Sequence, residues 1–147
     1  MDQSVEAMGA ISARMEDAWN RGDATAFAAD FAEDAEFVAF EGTVLKGRDA
    51  IVAFHQPLFD TALRGSRLVD GRVVFARVVG PDWGVVHYRV GVVMPGEDTP
   101  LPSRDSMQLL AVRWQDEGWQ AVALQNSRVI SLDHQLALDA LASAPEG

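Results

Sequence analysis

The pattern of apolar and polar positions divides the chain into a helical first part and a β-rich second part. Between Val5 and Trp19 apolar residues recur every three or four positions, which predicts a helix with one buried face. The sequence Asn-Arg-Gly-Asp at 20–23 should end this helix and begin another, because glycine suits a left-handed cap and aspartate suits an N-cap. The second helix is short and would place Phe27 and Phe31 one turn apart on one face.

Two short strands and a third helix are predicted next. Residues 35–45 contain two short strand-forming runs joined by a turn. The following helix carries its apolar residues, from Ile51 to Ala62, on one arc, and Pro57 inside it predicts a kink or a restart. His55 falls within this arc, so it is either a satisfied core or rim residue or a residue that lines a pocket.

From Arg67 onward the pattern is that of strands. Four long segments rich in β-branched and aromatic residues are separated by short turn sequences, which predicts an antiparallel meander. These segments are residues 72–79, 83–94, 103–114 and 118–129. The tail from Asp133 to Ala142 returns to helical spacing, with Ser131 or Asp133 as its cap, and this acidic helix is expected to cover the edge of the sheet.

Helices followed by an antiparallel sheet predict an α+β fold. We expect one domain over residues 1–147, with a core at about 5–130 and a helical tail at 131–147. Three N-terminal helices would pack against one face of a strongly curved, mostly antiparallel sheet. Such an arrangement leaves a cone with a cavity at its open end.

Composition narrows the classes of partner. The chain has 147 residues and a formal net charge of −10, which opposes nucleic-acid phosphates and anionic membranes and favours neutral or cationic small molecules. Without cysteine it has no disulfide, no thiolate metal site and no catalytic thiol. Its first residues do not resemble a signal peptide, and no segment has the roughly 20 apolar residues that span a bilayer. We therefore expect a cytoplasmic protein that binds neither nucleic acid nor membrane.

Strand alternation predicts which side chains line the cone. Val86, Tyr88 and Val90 share one face of their strand, while the opposite face carries arginine, as do neighbouring strands. The arginine-bearing face is therefore predicted to be the convex one. The same parity turns the following residues inward: Ser106, Gln108 and Leu110 on the next strand, and Val122, Leu124 and Asn126 on the last. One β-bulge would reverse any of these assignments.

The predicted pocket is mostly apolar with a few polar points, the usual composition of a ligand site. His55, Tyr88 and Asn126 are the candidate catalytic residues, because an imidazole or a phenol can transfer a proton and an amide can orient an oxygen. The candidate ligand-binding residues are Trp19, Phe40, Phe54, Ser106 and Gln108. The alternative for Tyr88 and Asn126 is that they only satisfy buried backbone groups.

No metal and no cofactor are expected. The three histidines, His55, His87 and His134, lie on three separate predicted elements, without a H-E-x-x-H pairing. Neither the dinucleotide-binding pattern G-x-G-x-x-G nor the nucleophile elbow G-x-S-x-G occurs in the sequence.

Four segments of the chain resemble one superfamily. They are Trp19-Asn-Arg-Gly-Asp23, Phe27-Ala-Ala-Asp-Phe-Ala-Glu-Asp-Ala-Glu-Phe37, Gly47-Arg-Asp-Ala-Ile51 and Gln125-Asn-Ser127. They are similar to the nuclear-transport-factor-2-like superfamily, and within it to the SnoaL-like proteins and the group called SgcJ/EcaC family oxidoreductases. The resemblance implies a cystatin-like, cone-shaped fold with a small-molecule pocket, usually as a homodimer.

The resemblance also bears on chemistry. Matching the chain to ketosteroid isomerase puts Ala39 at the general-base position and Met15 near the oxyanion-hole tyrosine, and neither residue can transfer a proton. We therefore expect a small-molecule-binding protein whose ligand is apolar, aromatic or polyketide-like. If it is an enzyme, it performs cofactor-independent cyclisation, isomerisation, dehydration or hydration. The alternative is a non-catalytic ligand-binding or dimeric association domain.

The predicted convex face of the sheet mixes apolar and charged side chains. They are His87, Arg89, Leu109, Ala111, Trp119, Ala121 and Ala123. A broad surface of this kind seldom stays uncovered, so an isologous homodimer through this face is expected.

Overall fold

The computed structural model describes residues 3–145 and contains four α-helices and six strands in that range. In chain order they are α1 (Val5–Asn20), α2 (Ala24–Phe27), β1 (Phe31–Val38), β2 (Val44–Lys46), α3 (Arg48–Asp60), β3 (Arg67–Gly80), β4 (Trp83–Val93), β5 (Ser106–Gln115), β6 (Gly118–Arg128) and α4 (Leu132–Ala142). A single 3₁₀ turn, Pro102–Arg104, precedes β5.

One curved sheet contains all six strands, in the order β2-β1-β6-β5-β4-β3. Neighbouring strands are antiparallel except β1 and β6, which run parallel. The concave face is covered by α1, α2 and α3, whose apolar faces form the main core with the inner side chains of the strands. The α+β fold with three helices on a curved mixed sheet is thereby confirmed.

The helix signals read from the sequence are largely confirmed at the start of the chain. Asp23 caps α2 by accepting from the backbone N–H of Ala26, and Gly22 takes a positive φ of 68° that favours glycine. The apolar stripe of α1 is buried against the sheet, including Met8, Ile11 and Met15.

Two details of the helical part differ from expectation. Phe31 does not share a helical face with Phe27, because α2 ends at Phe27 and Phe31 opens β1, where it pairs with Ala121 of β6. Tertiary strand pairing thus overrides the local helical spacing of the two phenylalanines. Of the kink or restart expected at Pro57, the restart is wrong, since α3 continues through this proline to Asp60.

A β-bulge in β6 reverses part of the predicted outer face. Ala111 of β5 is opposite Ala123, yet the next residue, Val112, is opposite Ala121, so Val122 is an extra residue in β6. Trp119 and Ala121, expected on the convex face, are buried in the core instead. Beyond the bulge the predicted parity holds, and Leu124 and Asn126 lie on the same face as Leu110 and Gln108.

The tail helix α4 exists, but it does not cover the sheet edge. Its N-cap is Ser131, whose hydroxyl accepts from the backbone N–H of His134 at 3.1 Å. Every residue of α4 is exposed, so this helix contributes nothing to the core of its own chain. Among the described residues, no helix combines the length and the apolar character that crossing a membrane requires.

Candidate functional site

The predicted pocket residues converge on one end of the cone, which we call the Trp19 end. Here the last turn of α1 meets the first residues of β3, because the Asn20 side chain donates to Leu68 O at 3.0 Å and accepts from Leu68 N at 2.7 Å. Trp19 Nε1 donates to Ser66 Oγ at 3.0 Å and fixes the indole beside this junction. The register places the start of β5 and the ends of β4, β6 and β1 at the same end.

His55 lies inside a group of rings that we call the aromatic cage. Its ring centroid lies between 4.6 and 6.4 Å from those of Phe27, Phe54, Phe37, Phe59 and Trp19. The side chain is only 4% exposed, and burial lowers its pKa. His55 Nδ1 is 2.7 Å from Ile51 O, so the neutral ring donates from Nδ1 and keeps an unprotonated Nε2.

Two side-chain amides face each other on the concave side, and we call them the amide pair. Gln108 of β5 is directly opposite Asn126 of β6, and Gln108 is only 8% exposed. Gln108 Oε1 and Asn126 Oδ1 are both covered, and neither has a hydrogen-bond partner among the described residues. An unpaired buried acceptor costs about 1–3 kcal/mol, so a donor that reached these oxygens would offset that cost.

Three other buried polar atoms lack a partner within the described part of the chain. They are Ser12 Oγ, Arg113 Nε and Trp119 Nε1. Ser12 lies on α1, whereas Arg113 and Trp119 lie at the ends of β5 and β6 that are far from the amide pair. No two of these three residues are paired across neighbouring strands. The amide pair therefore differs from them in presenting two acceptors side by side.

Tyr88 extends the polar row, but its hydroxyl already has a partner. It is directly opposite Gln108, and its Oη donates to Glu16 Oε2 of α1 at 2.6 Å. Burial raises the pKa of Tyr88, and the hydrogen bond and negative charge of Glu16 raise it further. Gly71 permits this contact, because a Cβ at that position would overlap Glu16 Oε2 and Tyr88 Oη. Tyr88 therefore stays protonated and orients the Glu16 carboxylate.

Glu16 is the site residue that sequence reasoning missed. It follows the buried Met15 on α1, and only the fold brings it to Tyr88. Gly71 was the available signal, since a glycine inside a strand often marks a close approach of another group.

The remaining predicted residues have different surroundings. Phe54 is half-buried beside His55, and Ser106 is buried directly opposite Arg128 of β6. Phe40 is 48% exposed and its ring lies under the Arg128 guanidinium, with 4.1 Å between the guanidinium carbon and the ring centroid. Phe40 is thus a platform for a cation and not a wall of an enclosed pocket.

The Trp19 end also borders a cavity of about 460 Å³. Trp19, Phe59, Leu63 and Ser66 form part of its lining, together with charged residues of the loops. A second cavity of about 430 Å³ lies elsewhere, between the loop before β5 and the chain that enters α4. Within residues 3–145 no three histidine, aspartate or glutamate side chains are grouped closely enough to hold a metal ion.

Comparisons with known proteins match this architecture. The sequence profile of the SnoaL-like domain matches residues 12–119. A crystal structure of a domain of unknown function with a cystatin-like fold, from Nostoc punctiforme, is 43% identical, with 99% of this chain and 90% of that chain covered and a TM-score of 0.90. No curated protein sequence gives a significant match.

Two more distant structures have the same fold. A ketosteroid isomerase-like protein from Erwinia carotovora atroseptica is 17% identical, with 89% of this chain and 100% of that chain covered and a TM-score of 0.71. A putative calcium/calmodulin-dependent protein kinase type II association domain from Thiobacillus denitrificans is 18% identical, with 82% and 94% covered and a TM-score of 0.70. At such identities the likeness concerns the fold alone.

Proposed function

The chain belongs to the SnoaL-like domain family, and from that premise we propose that it binds a small, largely apolar molecule through a hydrogen-bond donor on that molecule. The amide pair is the observation that carries this proposal. A ligand hydroxyl or N–H that reaches Gln108 Oε1 or Asn126 Oδ1 would give these oxygens the partner that the described residues do not provide.

Leu68, Tyr88 and Val90 form a small buried hydrophobic cluster next to the amide pair, and Trp19 packs against this cluster. Trp19 is only partly buried and borders the cavity of about 460 Å³, so its ring is the apolar surface on which a flat ligand would pack. The polar substituent of that ligand would then have to reach past this cluster to Gln108. This combination of apolar contact and a few oriented polar groups is typical of small-molecule sites.

The enzymatic form of the proposal assigns proton transfer to His55. Because burial lowers its pKa, the imidazole is neutral at physiological pH, and its Nε2 can accept a proton. Met15 and Ala39 are buried apolar residues, so acid–base chemistry at this end has to come from other side chains. A ketone with acidic α-hydrogens, 2-tetralone, tests this form by NMR in D₂O. We expect faster α-hydrogen exchange with the protein than in buffer, and no acceleration with His55→Phe.

A pair of naphthalene probes tests binding itself. By calorimetry, 2-naphthol should bind about three- to tenfold more tightly than naphthalene, because only the naphthol hydroxyl can donate to the amide pair. Gln108→Met and Asn126→Leu should remove this preference, whereas Gln115→Met, an exposed glutamine on the same strand, should retain it. Equal affinity for both probes in the unaltered protein would contradict the proposal.

Self-association is the second candidate function, and α4 is the observation that favours it. Leu132 and Leu136, one turn apart, are 72% and 56% exposed. Asp133 and Asp139 make the helix acidic, and it contains no lysine or arginine. The convex sheet face of the same chain exposes apolar side chains beside Arg77 and Arg113; these apolar residues are Phe75, Val79, Trp83 and Leu109.

A second copy of this chain would cover both surfaces at once. Two-fold symmetry would place α4 of each copy against the convex face of the other, which covers the leucines and pairs acidic with basic groups. Light scattering should then show a dimer whose Kd rises at least about tenfold in the variant Leu132→Gln/Leu136→Gln. Ala137→Gln is the control on the same helix. A monomer at every concentration would rule out this second function.

A further inference from the structure

Arg128 lies beside the amide pair and has no acidic partner in the described part of the chain. It follows Asn126 by two residues on β6, which places it on the same face about 7 Å farther toward the end of the strand. Directly opposite is the buried Ser106 of β5. Among residues 3–145, no carboxylate lies within ion-pair distance of the Arg128 guanidinium, and no side-chain hydrogen bond of Arg128 is present.

The described residues around Arg128 fix the position of its guanidinium group, but they supply no negative charge to it. The Phe40 ring stacks against one face of the guanidinium, at 4.1 Å from its central carbon, while the N–H donors at the edge stay available. Partial burial lowers the pKa of Arg128, and the nearby Arg104 lowers it further. Arg104 itself is paired with Glu97, so its charge is largely compensated. A bound anion would favour the charged form of Arg128 against both effects.

We infer that the ligand of the Trp19 end carries a carboxylate, which Arg128 binds while the amide pair accepts from a donor on the same molecule. This inference rests on the proposed function and names the class of ligand: an apolar, ring-containing carboxylic acid with a hydroxyl or N–H group. The planar fork of arginine matches the two oxygens of a carboxylate, and the Ser106 hydroxyl lies at the paired position.

The inference runs against the overall charge of the chain, which is −10 and by itself favours neutral or cationic ligands. The two effects differ in range. Repulsion from distant carboxylates is screened within about 8 Å at physiological salt, whereas a direct guanidinium–carboxylate contact is screened much less. Local arrangement, not net charge, therefore sets the preference at this end of the cone.

Two probes of similar shape that both lack a hydrogen-bond donor isolate the charge. At pH 7.5 and 0.15 M salt, calorimetry compares 2-naphthoate, an anion, with methyl 2-naphthoate, its neutral ester. We expect the anion to bind about tenfold or more tightly than the ester, the usual size of a hydrogen bond to a charged group. Arg128→Gln should abolish the difference, Arg128→Lys should retain part of it, and Arg67→Gln, which removes an exposed arginine, should leave it unchanged.

The outcomes separate this inference from the function on which it rests. If 2-naphthol binds through the amide pair but 2-naphthoate has no advantage over methyl 2-naphthoate, the carboxylate inference is wrong and the binding function stands. A preference for 2-naphthoate that survives in Arg128→Gln also overturns the inference, because another cation then binds the probe. If none of the three probes binds, both proposals fall. Circular dichroism verifies that each variant is folded.

Discussion

The aromatic cage and the amide pair both bury polar side chains at the same end of the cone, yet the fold treats them differently. His55 is enclosed by rings and makes a hydrogen bond to the backbone of its own helix. Gln108 is buried and Asn126 is half-buried, but their covered oxygens lack any partner within the described chain. Burial alone is therefore a poor sign of function. A polar group that the fold leaves unsatisfied indicates a ligand more directly than one that the fold satisfies.

The largest expected effect is on the cage. Phe27→Ala removes a buried ring that contacts Trp19, Phe37, His55 and Phe59, and we expect it to lower the free energy of unfolding by about 3–5 kcal/mol. Urea unfolding followed by tryptophan fluorescence measures this loss. Phe40→Ala is the matched control, because Phe40 is about half exposed and its loss should cost under about 1 kcal/mol. Similar costs for both variants would mean that the cage is not a packing core.

The contact between Glu16 and Tyr88 gives a smaller effect. In Gly71→Ala the added methyl group has to displace both side chains, so we expect a loss of about 1–3 kcal/mol in the free energy of unfolding. Gly118→Ala adds the same group where no atom lies within contact distance, and it should be nearly neutral. Equal stability of the two alanine variants would mean that the contact of Glu16 with Tyr88 beside Gly71 does not stabilise the packing of α1 against the sheet.

Titration of Tyr88 examines the same contact independently, because it is the only tyrosine in the chain. Its tyrosinate absorbance should appear at higher pH than in a free tyrosine, since burial and Glu16 raise the pKa of Tyr88. A raised pKa in the folded state stabilises the protein below the unfolded value of about 10, and this contribution is lost as pH rises above it. Tyr88→Phe should lack that loss at high pH. An ordinary tyrosine titration would contradict the contact.

Sequence reasoning succeeded where local rules govern and failed where distant contacts do. Alternation along β4 and β5 correctly placed Tyr88 and Gln108 inside, because neither strand interrupts its register with the other. The position of Trp119 was wrong, since nothing local reveals the extra residue Val122 in β6. Glu16 escaped notice for a related reason: its partner lies 72 residues away in the sequence. The sequence alone therefore could not show that Tyr88 has a hydrogen-bond partner whereas Gln108 Oε1 and Asn126 Oδ1 have none among the described residues.

Substitution in the amide pair should not lower the stability of the protein, in contrast to substitution in the aromatic cage. Gln108→Met keeps the length of the side chain and removes the unpaired oxygen, so stability should stay unchanged or rise by up to about 1 kcal/mol. Thermal unfolding without added ligand measures this, with Gln115→Met as the exposed control on β5. A loss above about 1 kcal/mol would show that Gln108 has a structural role, and the contrast with the cage would disappear.

The smallest effect is a pH dependence that comes from His55. Burial lowers its pKa, so below the ordinary value of about 6.5 the unfolded chain binds a proton that the folded chain does not. Stability is therefore present above that pH and is lost as pH falls toward the folded pKa, by less than about 1.4 kcal/mol per pH unit. His55→Phe should flatten this part of the curve, whereas His134→Gln, which removes an exposed histidine, should not. The unaltered protein and His55→Phe could instead give parallel curves of unfolding free energy between pH 5 and 8. That result would mean that the cage does not hold His55 neutral.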